Sequence, residues 1–345
     1  MVYILLWCVT FLNTLAYSKA IKSCFVFILS LLFFMLIILR GDAVDRDYLT
    51  YLEYINNIKN GNVPTLGGAF FDSLVTITFT LGIPVVMVFV FYALALPIKV
   101  ALFYKAGIDI GSVFLVYVGF FVYLHDFTQI RVSLAIAIAY FALYLMVVLK
   151  RRKSALILLA VSTMVHPSLI FLCLVSLFIR GVSFSFLTIA LVVSVVFCYF
   201  DLFDLVLNSF ITFTNIPILL MYQGLANEGA NIINVFGLFP LLNVSIALVV
   251  GYYGIRNRGV NDPWIVLMMK YVILSQIIWF SMSAIPVLSG RISQIFLFSI
   301  VFVVPYISLK MTGKTFIISS IYSLLGFIAF LYKGNLLNDY YFFFS

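Results

Sequence analysis

Two arginines, a histidine and several carboxylates stand at the edges of apolar stretches in this chain. The first group is Asp45-Arg46-Asp47-Tyr48, with Tyr51 close behind. Asp47 and Tyr51 are four positions apart, so a helix puts them on one face. The second is Gln129 and Arg131, just after His125-Asp126, where Arg131 opens an unbroken apolar run. The third is His166, followed by Pro167 and Ser168, and the fourth is Arg291 in Ser289-Gly290-Arg291. A fifth set, Tyr222, Gln223 and Glu228, offers aromatic, amide and carboxylate groups suited to sugar hydroxyls. Ionisable groups at membrane depth are costly, which makes each a functional candidate. A guanidinium grips phosphate through a planar fork. A dry cationic pocket stabilises charge growing on a phosphate leaving group. A carboxylate or imidazole nearby can take a proton from an attacking hydroxyl. The chemistry these types suggest is the handling of a phosphorylated, polar substrate. Plainer readings stand beside it: an interfacial helix with tyrosines at headgroup level, a snorkelling Arg131 and a satisfied core His166.

The elements that must position these groups are membrane helices. Of 345 residues, 65% are hydrophobic and only 9% charged. Soluble domains carry about 45–50% apolar and about 25% charged residues. That excludes a soluble enzyme, a disordered chain and a DNA-binding domain as readings of the whole chain. Apolar runs occur at 2–17, 23–39, 82–104, 110–125, 131–149, 154–179, 182–200, 235–254, 263–285, 292–309 and 315–332. Most are long enough to cross a bilayer. Two long connections interrupt them, a tyrosine-rich loop at 40–66 and an asparagine-rich loop at 201–234. An amphipathic helix lying on the surface is the simplest shape for 46–60. No internal repeat is visible, so residues 1–345 read as one polytopic domain. The first run lacks a basic leader and a cleavage site, and is expected to be the first spanning helix.

Lys and Arg set the orientation. With Lys150-Arg151-Arg152-Lys153 inside, the short loops at Lys19/Lys22 and Lys99/Lys105 also fall inside, and loop 40–66 faces outward. If 154–179 enters and returns, Arg180, Arg256/Arg258 and Lys310/Lys314 fall inside as well, and loop 201–234 faces outward. Pro167 cannot continue a helix and pushes His166 toward extended backbone, which would put His166 at the apex of a re-entrant hairpin. One kinked helix, with a further crossing in 203–222, is the alternative. The expected fold is an all-α integral membrane protein with about ten spanning helices plus that hairpin. The formal charge of +8 is then a topological surplus, and no nucleic-acid partner is expected. Cys8, Cys24, Cys173 and Cys198 show no metal-ligand spacing, and no metal or cofactor is expected. No P-loop, GxSxG or HExxH motif occurs, which leaves ATP-driven transport and serine or zinc hydrolysis unsupported.

The order of the motifs resembles the EpsG family of bacterial polysaccharide polymerases, which includes many Wzy-type O-antigen polymerases. The resemblance runs from about Arg40 to Ile170. It rests on the acidic-tyrosine segment around Asp47, Tyr48 and Tyr51, on Phe127-x-x-x-Arg131-x-x-x-Ala135, on the basic turn, and on His166-x-Ser168-x-Ile170. Asp45 stands where the family often has glycine, and the tyrosine expected soon after Arg291 is replaced by Ile295 and Phe296. The resemblance implies a GT-C-like bundle and an inverting, metal-independent glycosyltransferase. The implied donor is a growing glycan on undecaprenyl pyrophosphate, and the acceptor is a single repeat unit on the same lipid. It implies a bacterial inner-membrane location with the active site facing the periplasm. Carried over by residue, Asp47 is a candidate base or sugar ligand, and Arg131 and Arg291 would hold pyrophosphate. His166 is a base or a further phosphate contact. Asp45, Arg46, Tyr48, Tyr51, Gln129, Tyr222 and Glu228 are candidate substrate ligands. A chain-length regulator is a candidate protein partner. An O-antigen ligase or other lipid-linked glycosyltransferase, a lipid-linked glycan flippase and a multi-spanning O-acetyltransferase are the alternative functions.

Overall fold

A computed structural model describes residues 1–41, 44–45, 47–61, 68–203, 209, 234–256, 260, 262–333, 337–338 and 340. Among these the protein is helical. Its helices are α1 (Val2–Thr14), α2 (Lys19–Ile38), α3 (Tyr48–Lys59), α4 (Ala69–Thr80), α5 (Val86–Ala93), α6 (Ala95–Lys105), α7 (Ile110–Gly119) and α8 (Ile130–Val147). They continue with α9 (Arg152–Val165), α10 (Leu169–Phe178), α11 (Phe184–Tyr199), α12 (Leu238–Arg256), α13 (Pro263–Ser281), α14 (Pro286–Leu297), α15 (Ile300–Thr312) and α16 (Phe316–Phe327). A π-helical segment, Val122–Thr128, precedes α8. Every apolar run of the sequence contains one helix or two consecutive ones. Five helical stretches among the described residues are long and apolar enough to cross a membrane, or seven if two bent pairs each count once. The expected number was about ten. The difference lies in apolar helices of 10–17 residues, such as α1, α11 and α16, which end before their runs do.

The chain divides into two compact units. The first comprises Met1–Ile170 and Val304–Ser345. Its helix ends gather the loops as the charge pattern requires. At the basic end, Asp109 caps α7 through the Ser112 amide at 3.2 Å. The same carboxylate meets Lys22 Nζ at 2.8 Å and accepts from Thr315 Oγ1 at 3.0 Å. The Tyr144 hydroxyl donates to the Lys105 carbonyl at 2.9 Å. Loops beginning near residues 19, 105 and 313 therefore meet at one end. At the opposite end the Tyr3 hydroxyl donates to the Asn338 carbonyl at 3.1 Å. There the Asn338 amide donates to Val44 at 2.9 Å, and Asp45 pairs with Leu337 in an isolated antiparallel bridge. Close packing fixes α7 on α16. A Cβ on Gly119 would lie 2.6 Å from the Cα of Ser323, and such small residues let membrane helices approach.

One expectation is corrected in this unit. Lys99 does not belong to a basic loop, nor do His125 and Asp126 mark an outer edge. Lys99 and His125 have no exposed surface and Asp126 is buried too. The run 110–125 is not a straight crossing: α7 stops at Gly119, and the π segment turns away by 67°. That turn brings Asp126 back against α6, where its carboxylate meets Lys99 Nζ at 2.9 and 3.1 Å. Burying either charge alone would cost several kcal/mol, so the pair forms.

The second unit is Phe171–Val303. Its centre is α13, which starts in a cap of the kind its sequence announces. Asp262 accepts from the Trp264 amide at 2.9 Å and Pro263 occupies the first helical position, where a missing N–H costs nothing. Buried Lys270 on α13 donates to the carbonyls of Ile179 and Arg180 at 3.1 and 2.8 Å. It thereby closes the helical end that follows α10, where cations are favoured.

The predicted break falls where proline dictates it. α9 ends at Val165, His166 is extended at φ −149° and ψ 116°, and α10 begins at Leu169.

Candidate active site at the head of α8

The site is built upward from Asp45. Its Oδ1 accepts from the amides of Asp47 and Tyr48 at 3.0 and 2.9 Å, which starts α3. Its Oδ2 pairs with Arg40 Nε at 2.6 Å, and neither side chain has exposed surface. Burial raises the Asp45 carboxyl above its ordinary range, while Arg40 and the two amides pull it back. Arg40 lies 4.9 Å from the Tyr48 ring centroid, and Tyr48 stacks on Phe89 at 4.8 Å. Asp45 and Tyr48 were expected as substrate ligands. Both are buried, Asp45 against Arg40 and Tyr48 against Arg40 and Phe89.

The face that α3 presents carries Asp47, half-buried, and Tyr51. Tyr51 is hydrogen-bonded to Arg131. The Arg131 guanidinium carbon sits 5.9 Å from the Tyr51 ring and 5.3 Å from the Phe71 ring. Burial, partly offset by Arg131 and reinforced by Asp47 and Asp45, pushes the Tyr51 hydroxyl up to about 12. It is therefore a neutral donor at neutral pH. Gly68, at φ +81°, brings bare backbone beside the arginine, and a Cβ there would lie 3.9 Å from Nη1. The carboxylate of Asp72 on α4 and the hydroxyl of Tyr92 on α5 both lie in the field of Arg131. Arg131 is thus surrounded by groups from α3, α4 and α5.

Gln129 links the π segment to α8: its carbonyl accepts from Ser133 at 2.9 Å, and its side chain is half-buried two residues from Arg131. α9 packs on both α8 and α4. It runs antiparallel to α8 after a short turn, which returns His166 to the end where α8 begins. There His166 Nδ1 shares a hydrogen bond with Ser168 Oγ at 2.6 Å. Asp47, Tyr51 and Arg131 are gathered together, Gln129 stands two residues before Arg131, and His166 shares their end of the unit. Arg291 is an exposed residue of α14 in the second unit. Arg46, Tyr222 and Glu228 lie outside the described residues.

Sequence reasoning missed Phe71, Asp72 and Tyr92, because it saw no element between loop 40–66 and the run at 82. The signal was present: Asp72 is a lone charge in Ala69-Phe70-Phe71-Asp72, and the cost of such a charge marks it as surely as it marks Arg131.

These helices and this cluster define a multi-pass membrane protein with an arginine-centred polar site at one end of its first unit. The sequence model of the EpsG family matches residues 23–345, and the chain belongs to that family. No curated protein and no solved structure matches it. Members of the family are Wzy-type polymerase-like, which gives the chain a polymerase-like role in polysaccharide synthesis at a membrane.

Proposed function

We propose that the protein is a polysaccharide polymerase of the O-antigen type. It transfers a growing glycan from undecaprenyl pyrophosphate to the non-reducing end of a lipid-linked repeat unit, with inversion and without a metal. In this reading Arg131 carries the pyrophosphate. The observation behind it is the guanidinium at the head of α8, held over Phe71 and Tyr51. An arginine seated on aromatic rings keeps its fork oriented and partly dehydrated, which strengthens its hold on a leaving phosphate. Tyr51 adds a neutral hydroxyl donor. Asp47 and Gln129 offer polar atoms to sugar hydroxyls, and His166 serves as a further phosphate or proton-handling group. The inner membrane, with this end facing the periplasm, is the location that the charge pattern supports.

The test is incubation of purified protein with its lipid-linked repeat unit, read as a gel ladder. A ladder from wild type, single repeats from Arg131→Ala and partial recovery with Arg131→Lys are expected, because lysine lacks the bidentate fork. A full ladder from Arg131→Ala at normal protein level would remove Arg131 from the site.

A further inference from the structure

Two polar atoms beside Arg131 are left unused by the protein itself. Asp72 is half-buried as a residue, but its Oδ1 and the Tyr92 hydroxyl are both closed to solvent, and neither has a hydrogen-bond partner among the described residues. Tyr92 as a residue is only 1% exposed. Buried polar atoms are nearly always paired, and each exception calls for an explanation. Leaving one unpaired costs about 1–3 kcal/mol, and more for a charged group. The two atoms share one electrostatic environment, since Tyr92 feels Arg131, Tyr51 and Asp72 together. Asp72 belongs to the first turn of α4, and the preceding residue, Phe71, is the one that lies against the Arg131 guanidinium. An idle acceptor and an idle donor next to a phosphate-binding cation form a site with a ligand's place in it. The ligand must offer a hydroxyl to the acceptor and an oxygen to the donor. A sugar hydroxyl does both.

We propose that Asp72 is the proton acceptor for the attacking hydroxyl of the acceptor glycan, with the Tyr92 hydroxyl donating to the same sugar. This rests on the polymerase reading of the site. The acceptor O–H donates to Asp72 Oδ1 while its oxygen attacks the anomeric carbon of the donor. The new C–O bond forms as the bond from that carbon to the pyrophosphate oxygen breaks. The electron pair leaves with the pyrophosphate, where Arg131 meets the charge. The proton ends on Asp72 and passes to the departing diphosphate.

Asp72→Asn keeps the size and one acceptor oxygen of the side chain but takes no proton. With the lipid-linked repeat unit as substrate, kcat is expected to fall about 100-fold or more, the range of general-base loss, with KM changed less than about threefold. Formate is expected to restore elongation partly to Asp72→Ala and not to Arg131→Ala, a response no merely structural role would give. Wild-type kcat in Asp72→Asn, with Arg131→Ala inactive, would overturn the assignment of Asp72 and leave the polymerase reading intact. A rise in KM that accounts for the whole loss would also overturn it. No ladder from wild type would defeat the polymerase reading itself. If Asp72→Asn does not accumulate, Asp72→Ala with formate decides, and absence of rescue counts against the proposal.

Discussion

The first unit contains two polar clusters made of the same kinds of side chain. In the interior cluster a lysine, an aspartate, a tyrosine and a serine close on one another. Asp126 accepts from Lys99 Nζ, from Ser133 Oγ at 2.5 Å and from the Tyr117 hydroxyl. Lys99 also donates to Ser133 Oγ at 2.7 Å. Both carboxylate oxygens are taken, and no acceptor is left for a ligand. In the cluster at the head of α8 an arginine, an aspartate and two tyrosines are set side by side, yet Asp72 Oδ1 and the Tyr92 hydroxyl stay unpaired among the described residues. Both clusters break the rule against charge in apolar segments. Completeness of hydrogen bonding, rather than the presence of charge, separates the strut from the site.

The largest effect that tests this contrast belongs to the strut. Lys99→Met alone should destabilise the protein by about 3–5 kcal/mol, because it strands a buried carboxylate. Lys99→Met with Asp126→Leu should recover most of that loss, as seen by thermal unfolding in detergent. A double variant no more stable than the single one would show that the pair is more than mutual compensation.

Arg131→Ala should behave in the opposite way. Its elongation rate should drop by a factor worth about 3–4 kcal/mol, the scale for removing a donor that meets developing charge. Its unfolding temperature should barely move, since the ring contacts it loses are worth only about 0.5–1 kcal/mol. Equal losses of stability and rate would blur the two clusters into one class.

His125 marks the limit of that rule, for it is unpaired without belonging to the cluster around Arg131. It lies against Phe121, with ring centroids 5.3 Å apart, and neither of its ring nitrogens has a partner among the described residues. Replacing an unpaired buried polar group by an apolar one of like shape removes a penalty of about 1–3 kcal/mol. His125→Phe should therefore be neutral or stabilising in the same melt, and wild-type elongation should persist. A dead but folded variant would make His125 a working group.

The smallest effect concerns Asp109 at the basic end. Burial alone would raise its carboxyl, but the hydrogen bonds from Lys22, Ser112 and Thr315 and the charge of Lys22 outweigh it, so the value falls below the ordinary 3.8. A lowered value in the folded state contributes stability above the unfolded value. That contribution is lost as pH falls through the folded one. The melting temperature of wild type should thus decline on the acid side of pH 4, and Asp109→Asn should flatten that slope. An unchanged slope in the variant would assign acid lability to other carboxylates.

The helical runs and the meeting of the basic loops were legible in the sequence. Each apolar run holds helix, the break sits at His166-Pro167, and Lys22, Lys105 and Thr315 come together where alternation of the basic loops puts them. Arg131 was legible as a helix-start charge. What composition could not express was rotation. Lys99 and Asp126 are 27 residues apart, and only the turn after Gly119 faces one toward the other. Asp45 and Asp47 are equivalent by spacing, yet one is sealed against Arg40 and the other is half-buried within the field of Tyr51. α4 was hidden because its serine, threonines and Asp72 dilute the apolar signal. Its meaning lies in what α3, α5 and α8 place around it.

The chain order of the interior pair bears on how the protein enters the bilayer. Lys99 leaves the ribosome before Asp126, so the helical stretch Val86–Lys105 must be inserted while its ammonium lacks a counter-ion. Lys105 follows Lys99 by six positions, and a flexible lysine stem can reach toward the headgroups until the carboxylate arrives. That stretch should first sit shallow and then sink as Asp126 is delivered. Chains arrested ahead of Asp126 should accordingly leave a cysteine placed beside Lys99 open to a water-soluble thiol reagent, and longer chains should shield it.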